Sequence, residues 1–290
     1  MVLGQQAIRG LGLTGVYMSL EQIIVLALIQ GITEYLPISS SGHLILVPAL
    51  TGWRDQGVLT DMVTNLGTLF ATMIFFWRDV VAMFHGLIDI LKRRSTYNSN
   101  LVTNVIIGTI PILVAGLLLK VTHMDDVIRS PLLVAINSII FGFLLYAADA
   151  YGLMRRTVRD LTWKTALIIG ISQMFSLSPG TSRSGVTMTA GRALGFVRPE
   201  AARFSFLLSI PANAAASIFI IGDALKFGES ISAPVILTGI LTFFVGLGTI
   251  TILMRLVRNH SFLPFVLYRV ALGGIILGMI YSGVTFGTVN

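Results

Sequence analysis

Apolar runs of about twenty residues recur along this chain, and no other feature narrows its possible folds so far. A run of that length crosses the hydrocarbon core of a bilayer as an α-helix, and in lipid only helices and closed barrels satisfy their own backbone. Six runs qualify: 61–77, which is short, then 101–119, 131–151, 203–221, 234–254 and 264–281. Only 11% of the residues are charged, against about 25% in soluble domains, and mean hydropathy is +0.86. No alternating pattern suggests β-strands of a barrel. The expected fold class is an all-α polytopic membrane protein, a single integral membrane domain over 1–290.

The net charge of +7 comes from basic residues clustered between spans, which suits cytoplasmic loops and argues against a nucleic-acid partner. The absence of cysteine excludes disulfides, thiolate metal sites and thiol catalysis. Residues 1–18 form an N-terminal extension that makes a poor signal peptide, and the true start lies at Met1 or Met18. The segment 78–94 is amphipathic and ends in basic residues, as an interfacial helix on the cytoplasmic face would. Arg155, Arg156, Arg159 and Lys164, and later Arg255 and Arg258, mark the inside; the mixed loop 120–130 belongs outside.

Two apolar stretches are too broken to span. The first runs from Leu20 to Leu36, stops at Pro37, and resumes from His43 to Leu50. Pro37 disfavours the α region at Leu36, so a re-entrant hairpin is expected, with irregular backbone at 38–42. Its opening, ALIQGITE at 27–34, is echoed by ALIIGISQ at 166–173, and a second Pro/Ser/Gly break follows at 178–185. One hairpin plus three spans, repeated once, is an inverted repeat: 19–151, then 163–282. Such architectures place their site at the repeat interface near the midplane. Loop charges bring the first hairpin in from outside and the second from inside.

The breaks also hold the polar chemistry. Ionisable groups at membrane depth are costly and are functional candidates by default. Gln30 and Glu34 share a helical face. If the breaks meet, Glu34, Ser39, Ser40, Ser41 and His43 face Thr181, Ser182, Arg183 and Ser184. The planar fork of Arg183 can hold two phosphate oxygens, and the hydroxyls and amides can complete an oxyanion cup. Ser40 or His43 could attack phosphorus. Glu34 could be the base, an orienter of His43, a ligand for a hard divalent ion, or only a polar contact between helices. His85, His123 and His260 fall in loops or the interfacial helix and carry no role. Asp149 and Asp223 sit at span ends, where wet carboxylates are ordinary.

These residues resemble the undecaprenyl-diphosphate phosphatase family of bacitracin-resistance proteins. The likeness rests on (E/Q)GxTE(F/Y)LP(I/V)SS(S/T)GH at Gln30–His43 and PGxSRSG at Pro179–Gly185. It extends to NLGTLFA (65–71), EAARFSFLLSIP (200–211) and SFLPFVLYR (261–269), and so covers essentially 19–281. It implies removal of the terminal phosphate from a C55 isoprenoid diphosphate, recycling the carrier lipid for wall synthesis, with sequestration of substrate from bacitracin. It implies catalysis by Glu34, Ser40, His43 and Arg183. Gln30, Ser39, Ser41, Thr181, Ser182, Ser184 and Thr187 would bind substrate. It further implies a Mg2+ or Ca2+ cofactor, with Glu34 as ligand, a homodimer, and a site opening to the outer face of the bacterial cytoplasmic membrane. Many relatives carry Glu where this chain has Gln30, which leaves Glu34 to do the acidic work alone. A transporter or flippase for a phosphorylated lipid is the competing expectation, because broken helices in inverted repeats are transporter architecture.

Overall fold

A computed structural model of the chain describes residues 18–53, 55–122, 130–226 and 231–283. Residues 1–17 of the expected extension, His123 and most of the loop 120–130 lie outside the described residues. The described chain is helical: α1 (Leu20–Thr33), α2 (Ser40–Thr51), α3 (Gly57–Phe75), α4 (Trp77–Leu91), α5 (Tyr97–Val121), α6 (Pro131–Tyr151), α7 (Trp163–Gln173), α8 (Arg183–Ala193), α9 (Arg198–Lys226), α10 (Ala233–Asn259) and α11 (Leu263–Tyr281). Six of these, α3, α5, α6, α9, α10 and α11, are long and apolar enough to cross a membrane. They are the six expected from the apolar runs.

α5, α9 and α10 overrun their runs at both ends, because apolar composition marks what can lie in lipid, whereas caps mark where a helix starts. Thr96, ahead of the expected boundary at 101, caps α5 reciprocally with Ser99. Ser19 and Gln22 do the same for α1, and Thr162 and Thr165 for α7. Proline sits in the first turn of α6, α10 and α11, where its missing N–H costs nothing. The longest helix, α9, has 29 residues and begins at Arg198 rather than 203. The segment expected at the interface forms α4, which packs along α5; its Asp79 pairs with Arg203 of α9.

α10 lies against α1 and α3, α11 against α6, and α9 runs past α3, α5 and α8. The interior is shared by Tyr35, Phe76, Leu145, Met188, Phe206 and Ile250, while Phe70, Leu117 and Ile252 point outward, as lipid-facing side chains do.

Asp149 is not the wet span-end carboxylate its position suggests. It is buried and accepts from Arg192 Nε at 2.9 Å, Arg198 Nε at 2.7 Å and the Phe262 amide at 3.0 Å. Arg192 is itself sealed from solvent and also donates to the carbonyls of Gly152 and Phe196. One carboxylate therefore ties the end of α6 to α8 and to the starts of α9 and α11. A buried charge is tolerable only when paired and hydrogen-bonded like this. Asp223, by contrast, is partly exposed at the far end of α9 and pairs with Lys120 and Lys226.

Candidate active site

The two breaks in the helical pattern fold into nearly the same turn. α1 ends at Thr33, and Glu34 caps it in helical conformation. After a run of turns Ser39 takes φ 77°, ψ 98° and caps α2 by accepting from the Gly42 amide at 3.3 Å. At the second break a 3-10 turn, Met174–Leu177, follows α7. Ser182 then takes φ 69°, ψ 114° and accepts from the Gly185 amide at 3.1 Å to start α8. In both turns the capping hydroxyl lies 3.3 Å from the serine two residues on, Ser41 or Ser184. A non-glycine residue held in such backbone costs on the order of 1–3 kcal/mol and persists only where its surroundings enforce it. The irregular backbone is shorter than its Ser/Gly content suggests. Ser40, Ser41 and Gly42 form the first turn of α2, and Arg183 is the first residue of α8, not part of a loop.

The turns touch. Glu34 Oε1 accepts from Arg183 Nη2 at 2.5 Å, and both side chains are more than four-fifths buried. Glu34 Oε2 accepts from Ser40 Oγ at 2.8 Å and from Gln30 Nε2 at 3.1 Å. Ser184 Oγ reaches the carbonyls of Glu34 and Leu36 at 3.3 and 3.1 Å, and the Gly180 amide donates to Ser39 Oγ at 3.2 Å. Close approach sets the residue type at Gly180: its φ is +84°, and a Cβ there would lie 2.7 Å from Val134 Cα in α6.

His43 is near but faces another way. Its Nδ1 lies 2.6 Å from the Ser39 carbonyl, and its Nε2 lies 2.6 Å from the Tyr268 hydroxyl. A carbonyl only accepts, so Nδ1 carries a proton, and Nε2 shares its hydrogen bond with the Tyr268 hydroxyl, which can donate or accept. Glu34 is thus on Ser40 and Arg183 and does not orient His43. The Thr187 hydroxyl is spent on the Arg183 carbonyl (2.8 Å) and the Ser205 hydroxyl (2.6 Å), where it braces the start of α8. Thr181 is sealed inside, its hydroxyl without a partner, and Ser41 lies at the exposed edge.

Three residues that the breaks alone did not announce complete the arrangement. Arg269 of α11 is fully buried, and its guanidinium donates to carbonyls of both turns: Pro37 (2.9 Å), Gly180 (2.9 Å) and Thr181 (2.9 Å). It also holds Ser138 and Asn137 of α6 through their carbonyls. Asn137 Nδ2 in turn donates to Ser178 Oγ and the Pro179 carbonyl, both at 2.7 Å. Tyr268 supports His43. The signal for Tyr268 and Arg269 was the Tyr-Arg pair ending SFLPFVLYR, an arginine deep in an apolar run; for Asn137 there was only one amide within a span.

Chemically, the site pairs a serine hydroxyl with a carboxylate that can take its proton. Beside that pair stands a guanidinium whose Nη1 is buried without a partner and is free for an anion. The donor set does not suit a divalent cation held by the protein alone. Among the described residues Glu34 is the carboxylate bonded to Ser40 and Arg183, its oxygens already serve these two and Gln30, and no group of three His, Cys, Asp or Glu forms.

Fold and site together define a multi-pass helical membrane protein in which a serine hydroxyl, a carboxylate and a guanidinium meet between two helix breaks. The chain belongs to the BacA family: the model described as "Bacitracin resistance protein BacA" matches residues 23–275. Among curated relatives, the undecaprenyl-diphosphatase of Ruegeria pomeroyi is 42% identical over 267 residues, 91% of this chain and 100% of that protein. That of Maricaulis maris is 43% identical over 261 residues, covering 88% and 97% of the two chains. Undecaprenyl-diphosphatase 1 of Rhodospirillum rubrum is 43% identical over 275 residues, covering 92% and 97%.

Proposed function

We infer that this chain hydrolyses undecaprenyl diphosphate to undecaprenyl phosphate and inorganic phosphate, which recycles the carrier lipid for wall synthesis and withholds it from bacitracin. The observation that carries the mechanism is the carboxylate of Glu34, shared between Ser40 Oγ and Arg183. A hydroxyl on a base, next to an arginine with unspent donors, is the arrangement an activated nucleophile needs.

In this reading the terminal phosphate displaces Glu34 from part of the Arg183 fork, and Nη1 and Nη2 hold two of its oxygens. Ser40 Oγ attacks the terminal phosphorus while its proton passes to Glu34 Oε2. The bond from that phosphorus to the bridging oxygen breaks, and the electron pair leaves with undecaprenyl phosphate, which takes the proton from Glu34. Glu34, a base again, removes a proton from water as the water oxygen attacks phosphorus; the Ser40 Oγ–P bond breaks, Ser40 Oγ takes that proton back from Glu34, and inorganic phosphate leaves. His43 lies one helical turn from Ser40 with both nitrogens engaged, so it shapes the pocket through Tyr268 rather than attacking. Amides and hydroxyls of the Ser39 and Ser182 turns bind the remaining oxygens.

The same reading takes α1–α2 and α7–α8 as re-entrant hairpins of an inverted repeat, supported by their matched serine turns. It places the protein in the bacterial cytoplasmic membrane with the site open to the outer face, supported by the basic loop around Arg155, Arg156 and Arg159. A homodimer, which the family resemblance implies, belongs to it as well. The test is phosphate release from undecaprenyl diphosphate by purified protein, followed by mass spectrometry of quenched enzyme. Phosphate on Ser40 supports the mechanism; phosphate on His43, or no release, contradicts it.

A further inference from the structure

The charges fixed around Ser40 form an unusual set for a site expected to hold a divalent cation. Glu34 contributes one negative charge and Arg183, 2.5 Å away, one positive. Arg269 adds a second positive charge beneath both turns, and its partners are carbonyls with no carboxylate among them. His43 brings no negative charge in either protonation state. Gln30, four residues before Glu34, supplies an amide where a second carboxylate would make a metal-binding pair. Its Nε2 donates to Glu34 Oε2 at 3.1 Å, and its buried Oε1 has no partner. A dication entering this resting site meets net positive charge, and the carboxylate it needs is already neutralised.

We propose that the resting site holds no divalent cation because Arg183 and the Gln30 amide satisfy Glu34, and that a cation enters only on the diphosphate of the substrate. The proposal rests on the hydrolase reading for its second half and on this chain's own charges for its first. A prenyl diphosphate brings two or more negative charges, which reverse the sign of the site and supply the oxygen ligands the protein lacks. Glutamate at position 30 would set two carboxylates about 3 Å apart, and such a pair must share a proton or bind a cation.

Mn2+ titration followed by electron paramagnetic resonance, on detergent-purified full-length protein, decides this. Wild type alone should show no saturable binding below about 1 mM, and Gln30→Glu should bind Mn2+ at least about tenfold tighter. With farnesyl methylenediphosphonate, which cannot be hydrolysed between its phosphorus atoms, wild type should take up about one Mn2+ per chain. Saturable binding by wild type alone below about 1 mM, lost in Glu34→Gln, would overturn the proposal. So would a bound diphosphonate that recruits no Mn2+. Thermal melts of each variant keep misfolding apart from loss of binding, and the wild-type arms need no variant at all. If the diphosphonate fails to bind both with and without Mn2+ in a displacement assay, the hydrolase reading falls. The titrations of free wild type and Gln30→Glu still decide the resting-site claim by themselves.

Discussion

At Ser39 the chain turns from α1 into α2, and at Ser182 from α7 into α8, with φ near 70° at both and the same serine cap. The scaffold is duplicated but the cargo is not. After the cap the first turn carries Ser40 and, three residues on, His43; the second carries Arg183 and Val186. Ahead of the cap the first has Glu34, and the echoed position in the second is Gln173, fully buried with neither amide atom partnered. In the proposed mechanism one turn thus brings nucleophile and base, and the other brings the cation. Neither is a site alone, because Ser40 without Arg183 lacks charge to steady a phosphoryl group. Arg183 without Glu34 would be a buried charge with no partner.

The division can be broken one residue at a time. Ser40→Ala removes the attacking oxygen and should lower phosphate release by at least about 10⁴-fold in an initial-rate assay. Glu34→Gln keeps the shape but loses the base, and a loss of about 10²–10⁴-fold is expected, with the Ser40 phosphoenzyme no longer trappable. Arg183→Lys keeps the charge but not the fork, and should cost about 10²–10³-fold; full activity would mean the second turn supplies charge alone. Gly180→Ala forces a Cβ onto Val134 and a side chain onto a φ of +84°. It should lower stability by about 1–3 kcal/mol, read from a thermal melt in detergent. The smallest effect belongs to Tyr268→Phe. It frees Nε2 of His43 and should change the rate only about tenfold or less, since its net worth is one hydrogen bond. A collapse there would move His43 from the pocket wall into the chemistry.

How far this was legible in the sequence depends on range. The six spans and the two breaks were, because each is dictated by composition and proline within a dozen residues. Gln30 and Glu34 on one face followed from helical spacing, and the meeting of Glu34 with Arg183 was expected on the condition that the two breaks touch, which they do. The helix starts at Ser40 and Arg183 were not, since a Ser/Gly-rich stretch reads equally as loop or as first turn until the capping bond is seen. Arg269 binding five carbonyls, Asn137 holding the second turn and Asp149 bridging four helices lay beyond reach. Each depends on residues about 40 to 230 positions apart meeting in space, and a lone polar residue in a span does not name its partner.

The central claim is that the two turns meet through Glu34 and Arg183, and the distance between those side chains tests it most directly. The chain can be labelled with ¹³C at glutamate carboxyls and ¹⁵N at arginine guanidiniums, then reconstituted in lipid. Carbon–nitrogen dipolar recoupling of wild type against Arg183→Lys isolates the one signal. Strong dephasing, as an Oε1–Nη2 contact of 2.5 Å requires, is the predicted result. No dephasing above that of Arg183→Lys would place the turns apart and contradict the account.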